Sequence, residues 1–189
     1  MGLVAEKAGA NMIGFVFAPS SRNVTPEQAR DIACGLSPET KTVGVFVNES
    51  KNEIERIADL VKLDFIQLHG DETPAFANSL HRRVIKAFTI DEVTDEALAT
   101  YPAEYLLIDS PGTTYRGGSG NTFDWERLMS RNIDKHKLML AGGLNPDNVQ
   151  EAIRVARPAG VDVSSGVETD GLKDAEKISR FVAAVRSAD

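Results

Sequence analysis

The chain has 189 residues, 42% of them hydrophobic and 26% charged, with a formal net charge of -7 and a pI near 5.0. That length suits one well-cored domain spanning the whole chain, and the acidic balance argues against non-specific binding to nucleic acid or an anionic membrane. No apolar run approaches the roughly 18–20 residues of a membrane span, the opening residues lack a signal-peptide core, and a single cysteine leaves no internal disulfide or Cys-based zinc site, so a cytoplasmic setting is expected.

Short apolar runs alternate with helix-like stretches from end to end. A helical piece over 1–9 comes first. Strands are then predicted at 12–17, 42–47, 65–68, 84–88, 105–108, 138–141 and 161–164. Most are near-continuous Val, Ile, Leu and Phe rather than alternating, the pattern of strands buried on both faces of a parallel sheet. The helices between them carry start signals. Thr25-Pro26-Glu27-Gln28 and Ser50-Lys51-Asn52-Glu53 read as capping boxes, and Thr73-Pro74 and Asn145-Pro146 as a cap followed by proline at the first helical position. Further helices are expected at 92–100, 123–129 and 173–185. Repeated β-then-α with short connections implies a parallel α/β fold, with seven βα units after the opening helix. A closed (β/α)8 barrel needs eight, and an open doubly wound sheet tolerates seven, so the count by itself does not choose.

In either architecture the chemistry sits outside the carboxyl ends of the strands. The last two strands run into Gly142-Gly143-Leu144 and Ser164-Ser165-Gly166, loops in which glycines let a backbone approach an anion and exposed N–H groups supply donors. Main-chain dipoles of this kind can hold a phosphate inside an acidic protein. Asp109 directly follows the apolar run 105–108 and precedes the long connection 110–123, which contains Gly117-Gly118-Ser119-Gly120. A connection of that length is uncommon within a compact βα unit, which favours an acid/base role for Asp109 over a turn-forming one. Arg22, in the loop after the first strand, suits a carboxylate or phosphate and equally a solvated surface. His69, in Gln67-Leu68-His69-Gly70, is compatible with a ligand contact or with capping the turn. Cys34 lies late in the helix opened by Thr25, away from the strand ends, and is not expected to act as nucleophile or base.

Taken together, Gly14-Phe15-Val16-Phe17, Gly44-Val45-Phe46-Val47-Asn48, Gln67-Leu68-His69-Gly70, Leu107-Ile108-Asp109, Gly117-Gly118-Ser119-Gly120 with Phe123-Asp124-Trp125, Ala141-Gly142-Gly143-Leu144 and Val161-Asp162-Val163-Ser164-Ser165-Gly166-Val167-Glu168 resemble the phosphoribosylanthranilate isomerases of tryptophan biosynthesis. Each motif is weak and the ordered set is specific.

The resemblance implies a (β/α)8 TIM barrel and an Amadori rearrangement of an aminoaldose phosphate to a ketose, by general acid and base without a cofactor. It makes Asp109 the acid, Arg22 the holder of the anthranilate carboxylate, and Gln67, His69 and Asp162 further substrate contacts. Gly142, Gly143, Ser164, Ser165 and Gly166 become the phosphate cradle. Such family members begin with a strand whose cysteine serves as base, whereas this chain starts in the helix that follows. The resemblance therefore implies a barrel truncated at its N-terminus to about seven βα units, with impaired catalysis and exposed strand edges open to self-association. The alternatives are an inactive phosphate-binding barrel, one part of a split protein, or a related phosphosugar isomerase or epimerase. No nucleic-acid or membrane partner is expected.

Overall fold

The computed structural model describes residues 1–90, 93–109, 128, 130–131 and 133–188. The chain divides into two compact units, Met1–Ala87 with Tyr101–Glu104, and Phe88–Thr100 with Tyr105–Asp189.

The first unit holds helix α1 (Gly2–Ala8), strand β1 (Met12–Val16), α2 (Pro26–Ala33), β2 (Lys41–Phe46), α3 (Lys51–Val61), β3 (Phe65–Leu68), α4 (Pro74–Ser79) and most of β4 (Arg83–Thr89). β1 pairs with β2, β2 with β3 and β3 with β4, all parallel, through partners such as Phe15↔Gly44, Phe46↔Leu68 and Leu68↔Lys86. All four residues of β3, Gln67 among them, are buried, as in a strand covered on both faces. α3 buries Ile54, Ile57, Ala58 and Val61, the i, i+3, i+4, i+7 stripe of an amphipathic helix. These side chains, with Phe46, Phe65, Ile66, Leu68 and Ile85, make the core of this unit.

The second unit contains the end of β4, α5 (Asp95–Thr100), β5 (Tyr105–Asp109), β6 (Leu138–Ala141), α6 (Val149–Ala156), β7 (Gly160–Val161), a 3-10 turn (Ser165–Val167), the short strands β8 (Glu168–Thr169) and β9 (Leu172–Lys173), and α7 (Ala175–Arg186). β5 pairs with β6 and β6 with β7, again parallel. Leu106, Leu107, Ile108, Leu128, Leu138 and Leu140 are each under 2% exposed and form its core. Among the described residues no helix is long and apolar enough to cross a membrane.

The seven expected parallel strands are all present, four assigned to β1–β4 and three to β5–β7. Boundaries moved where propensity says least. β7 has two residues rather than the expected four. Asp162 extends the ladder by donating its N–H to Leu140 O at 2.7 Å, after which Ser164 leaves the extended region (φ -119°, ψ -87°) to enter the 3-10 turn.

The Thr25 capping box is complete, with Thr25 accepting from Gln28 N and Gln28 returning to Thr25 N. The second box is only half made. Ser50 accepts from Glu53 N at 3.4 Å, but the Glu53 carboxylate turns instead to Arg56, a partner with charge. Thr73 caps α4 as expected. Asn145-Pro146 does not open its helix directly: residues 145–148 form a turn closed by Asn145 N to Asn148 Oδ1, and α6 begins at Val149. The hairpin of β8 and β9 was not expected. It turns through Asp170 (φ 53°) and Gly171 (φ 78°), the two left-handed positions that an Asp-Gly pair supplies. The helix expected at 123–129 falls largely outside the described residues.

Candidate functional site

The described residues proposed for the site lie at the carboxyl end of a strand or in the loop that follows it. In the first unit, Gln67 is buried within β3 and its Nε2 lies 3.4 Å from His69 Nδ1. His69 is the first residue past that strand, and its N–H donates to Phe46 O on β2 at 2.9 Å. Arg22 lies in the exposed loop after β1, its N–H donating to Ser20 Oγ at 3.1 Å. The loop is tied back where Val24 N donates to Val16 O.

The next residues build a cluster that sequence reasoning missed. The Glu72 carboxylate accepts from Asn48 N at 2.8 Å, Gly70 N at 3.0 Å and Lys86 Nζ at 2.9 Å. Lys86 also donates to Gly70 O, and the Tyr101 hydroxyl donates to Glu72 O at 2.8 Å. Burial pushes the Glu72 carboxyl up, but the hydrogen bond from Lys86, backbone amides and the Lys86 charge outweigh it and hold the group below its ordinary value of 4.5. Burial and then the Glu72 charge push the Tyr101 hydroxyl up to about 12, so it remains a donor at neutral pH. The signal was present: Lys86 interrupts the apolar run Val84-Ile85-Lys86-Ala87-Phe88, and a lysine inside a buried strand needs a partner.

In the second unit, Asp109 is the last residue of β5, and its main-chain O accepts from Ile90 N at 3.3 Å. Asp162 follows β7. The glycine loops after β6 and β7 meet: a methyl group added at Gly166 would stand 1.8 Å from Leu144 O, so only glycine permits this approach. Gly143 sits at φ 65° with open space around it, and its carbonyl accepts from Asn148 Nδ2 at 3.0 Å. Ser165 and Gly166 open the 3-10 turn, where the first amides have no acceptor within the turn itself. Lys173, on β9, was also missed. Its Nζ donates to Ser164 O at 2.8 Å and to Glu168 Oε1 at 2.9 Å, with Ser164 Oγ at 3.3 Å. Lys177 Nζ donates to Glu168 O at 2.6 Å. A cation on β9 thus braces a serine- and glycine-rich loop suited to an anion.

The connection 110–127, with Gly117-Gly118-Ser119-Gly120, lies outside the described residues. Among the described residues no three His, Cys, Asp or Glu side chains are grouped to hold a metal ion. Cys34 is exposed at the end of α2.

Parallel strands followed by helices, a carboxylate ending one strand, and glycine loops meeting beyond the last two define an α/β protein with its candidate site at the strand ends. The family model described as N-(5'phosphoribosyl)anthranilate (PRA) isomerase matches residues 3–184, and the chain belongs to that family. The N-(5'-phosphoribosyl)anthranilate isomerase of Listeria welshimeri is 47% identical over 186 residues, 98% of this chain and 92% of the relative. The crystal structure of phosphoribosyl anthranilate isomerase from Thermotoga maritima superposes with a TM-score of 0.86 at 40% identity, covering 97% of this chain and 92% of the other. A further such isomerase, solved in complex with reduced 1-(o-carboxyphenylamino)-1-deoxyribulose 5-phosphate, has a TM-score of 0.83 at 38% identity, covering 97% and 91%. The expectation of impaired catalysis finds no support in these comparisons.

Proposed function

We propose that this chain catalyses the Amadori rearrangement of N-(5'-phosphoribosyl)anthranilate to 1-(2-carboxyphenylamino)-1-deoxyribulose 5-phosphate, a step of tryptophan biosynthesis. The observation that carries the reading is the family match over residues 3–184, joined by likeness to a relative solved with a reduced form of that product.

In this reading Asp109 is the general acid. It gives its proton to the furanose ring oxygen as the bond from that oxygen to C1′ breaks, with the anilino nitrogen supplying the electron pair that forms the Schiff base. Loss of the C2′ proton then gives an enolamine, which becomes the ketose as C1′ gains a proton and the C2′ hydroxyl gives up its own. Its place at the end of β5 supports the role, because a strand terminus fixes a carboxylate better than a loop does. Arg22 holds the anthranilate carboxylate, and Gln67, His69 and Asp162 contact the rest of the substrate. The phosphate lies on Gly142, Gly143, Ser164, Ser165 and Gly166, a role supported by the tight approach of Gly166 to Leu144 and by the hydrogen bond with which Lys173 braces Ser164. No cofactor enters this chemistry. The seven βα units belong to a (β/α)8-type barrel and the enzyme works in the cytoplasm.

The test is loss of substrate fluorescence on mixing with the purified chain. Turnover is expected, and Asp109→Asn lowers kcat by about 10²–10⁴-fold, the usual contribution of general acid–base catalysis, with the melting transition nearly unchanged. Phosphate binding without any turnover would overturn the reading in favour of an inactive phosphate-binding barrel.

A further inference from the structure

Glu72 and Lys86 form an ion pair whose side chains are only 3% and 4% exposed. Such a pair is weak evidence of stabilisation, because removing both charges from water offsets most of their attraction. Apolar replacements of similar volume are often as stable or more so. The arrangement around the pair points to another use.

One Glu72 oxygen accepts from the amide of Asn48, beyond β2, and the other from the amide of Gly70, beyond β3. Lys86, on β4, donates both to that second oxygen and to Gly70 O. Asn48, in the left-handed region at φ 51°, adds its Oδ1 as acceptor for Asp71 N at 2.8 Å. Tyr101 closes the cluster from below through Glu72 O. Both main-chain polar atoms of Gly70 are therefore engaged by the buried pair. The residue immediately before Gly70 is His69, whose own N–H is fixed to Phe46 O. The His69 backbone is thus held on both sides, and its ring Nδ1 lies 3.4 Å from Gln67 Nε2.

We propose that Glu72 and Lys86 are positioning residues that fix the loop ends of β2 and β3 and so set the placement of the His69 side chain for substrate; the link to substrate rests on the function proposed above. Neither side chain touches substrate. They act through the Gly70 and Asn48 main chain, and a carboxylate suits this place because it can accept from two amides and an ammonium at once.

The experiment uses the full chain and two variants, Glu72→Gln and the double variant Glu72→Leu/Lys86→Met. The double variant removes both charges together, which avoids stranding one of them, but leaves the Asn48 and Gly70 amides without their acceptor. Melting, KM and kcat on phosphoribosylanthranilate, and the ring resonances of the three histidines are measured. Expected are a melting transition near that of the parent, a KM raised about tenfold with kcat within about twofold, as small misplacements of binding groups produce, and displaced His69 resonances beside unmoved His81 and His136. Glu72→Gln, which keeps one oxygen acceptor, shifts the same quantities part of the way. Parental KM with unmoved His69 resonances, in variants that remain folded, would overturn the proposal and leave the pair a purely structural one. If the parent itself fails to turn over substrate, the functional reading falls, and the His69 resonances still decide whether the pair places that side chain.

Discussion

Among the described residues, two lysine–glutamate ties that brace strand ends share a length of 2.9 Å: Lys86–Glu72 in the first unit and Lys173–Glu168 in the second. Their surroundings differ. The first pair is 4% and 3% exposed, whereas Lys173 keeps 32% of its side chain in solvent and Glu168 9%. Distance therefore says little about what either tie is worth. In the buried pair each charge depends on the other, since neither has water to return to. In the open pair water screens the attraction and takes over when one partner is lost. The second unit instead makes its loops tight through the main chain, where Gly166 passes under Leu144 O.

The sharpest way to break this contrast is Lys86→Met, which leaves the Glu72 carboxylate buried without its cation. A loss of about 3–5 kcal/mol is expected in urea unfolding, the usual cost of removing one partner of a buried pair. A loss below about 1 kcal/mol would show that water reaches Glu72 and that the two ties are alike. Next is Gly166→Ala. Its methyl group would meet Leu144 O at 1.8 Å, and the forced shift of backbone should cost about 3 kcal/mol, the upper part of the range for overpacking. Gly143→Ala, with space around it but φ at 65°, should cost only about 1–2 kcal/mol, the strain of a left-handed L-residue. Equal losses for the two would mean that the loops after β6 and β7 relax apart.

Acid separates the ties by a different route. The folded value of the Glu72 carboxyl lies below its ordinary 4.5, so the stability it contributes is present above that pH and is lost as pH falls through the folded value. Comparing parent and Glu72→Gln from neutral pH downward, the stability difference between them should shrink below pH 4.5. A difference constant with pH would remove Glu72 from the acid response. The smallest expected effect is that of Lys173→Met, under about 1 kcal/mol for a partly exposed pair. A loss as large as that of Lys86→Met would erase the distinction between the two regions.

The candidate site was legible where chemistry is local. Asp109 after an apolar run, and the glycine and serine loops after two others, are visible as residue types at strand ends, and the structure puts them there. Lys86 and Lys173 were not singled out, because their meaning depends on partners fourteen residues back in one case and on a short hairpin in the other. Asp170-Gly171 was a readable signal for that hairpin. The fate of the Glu53 carboxylate was not readable, since Gln28 made the same box complete and only the presence of Arg56 diverted Glu53.

By itself, the sequence determined the order of the seven parallel strands and the helices described between them, because continuous apolar runs and capping residues act through neighbours a few positions away. It also carried the ordered motifs by which the chain joins its family, and the strand ends at which chemistry was to be sought. Tertiary structure alone decided where β7 stops, which glycine is demanded by a close approach, and which charges are buried. Those outcomes depend on what the rest of the chain brings within a few ångströms, and burial changes the energy of a charge far more than its own identity does.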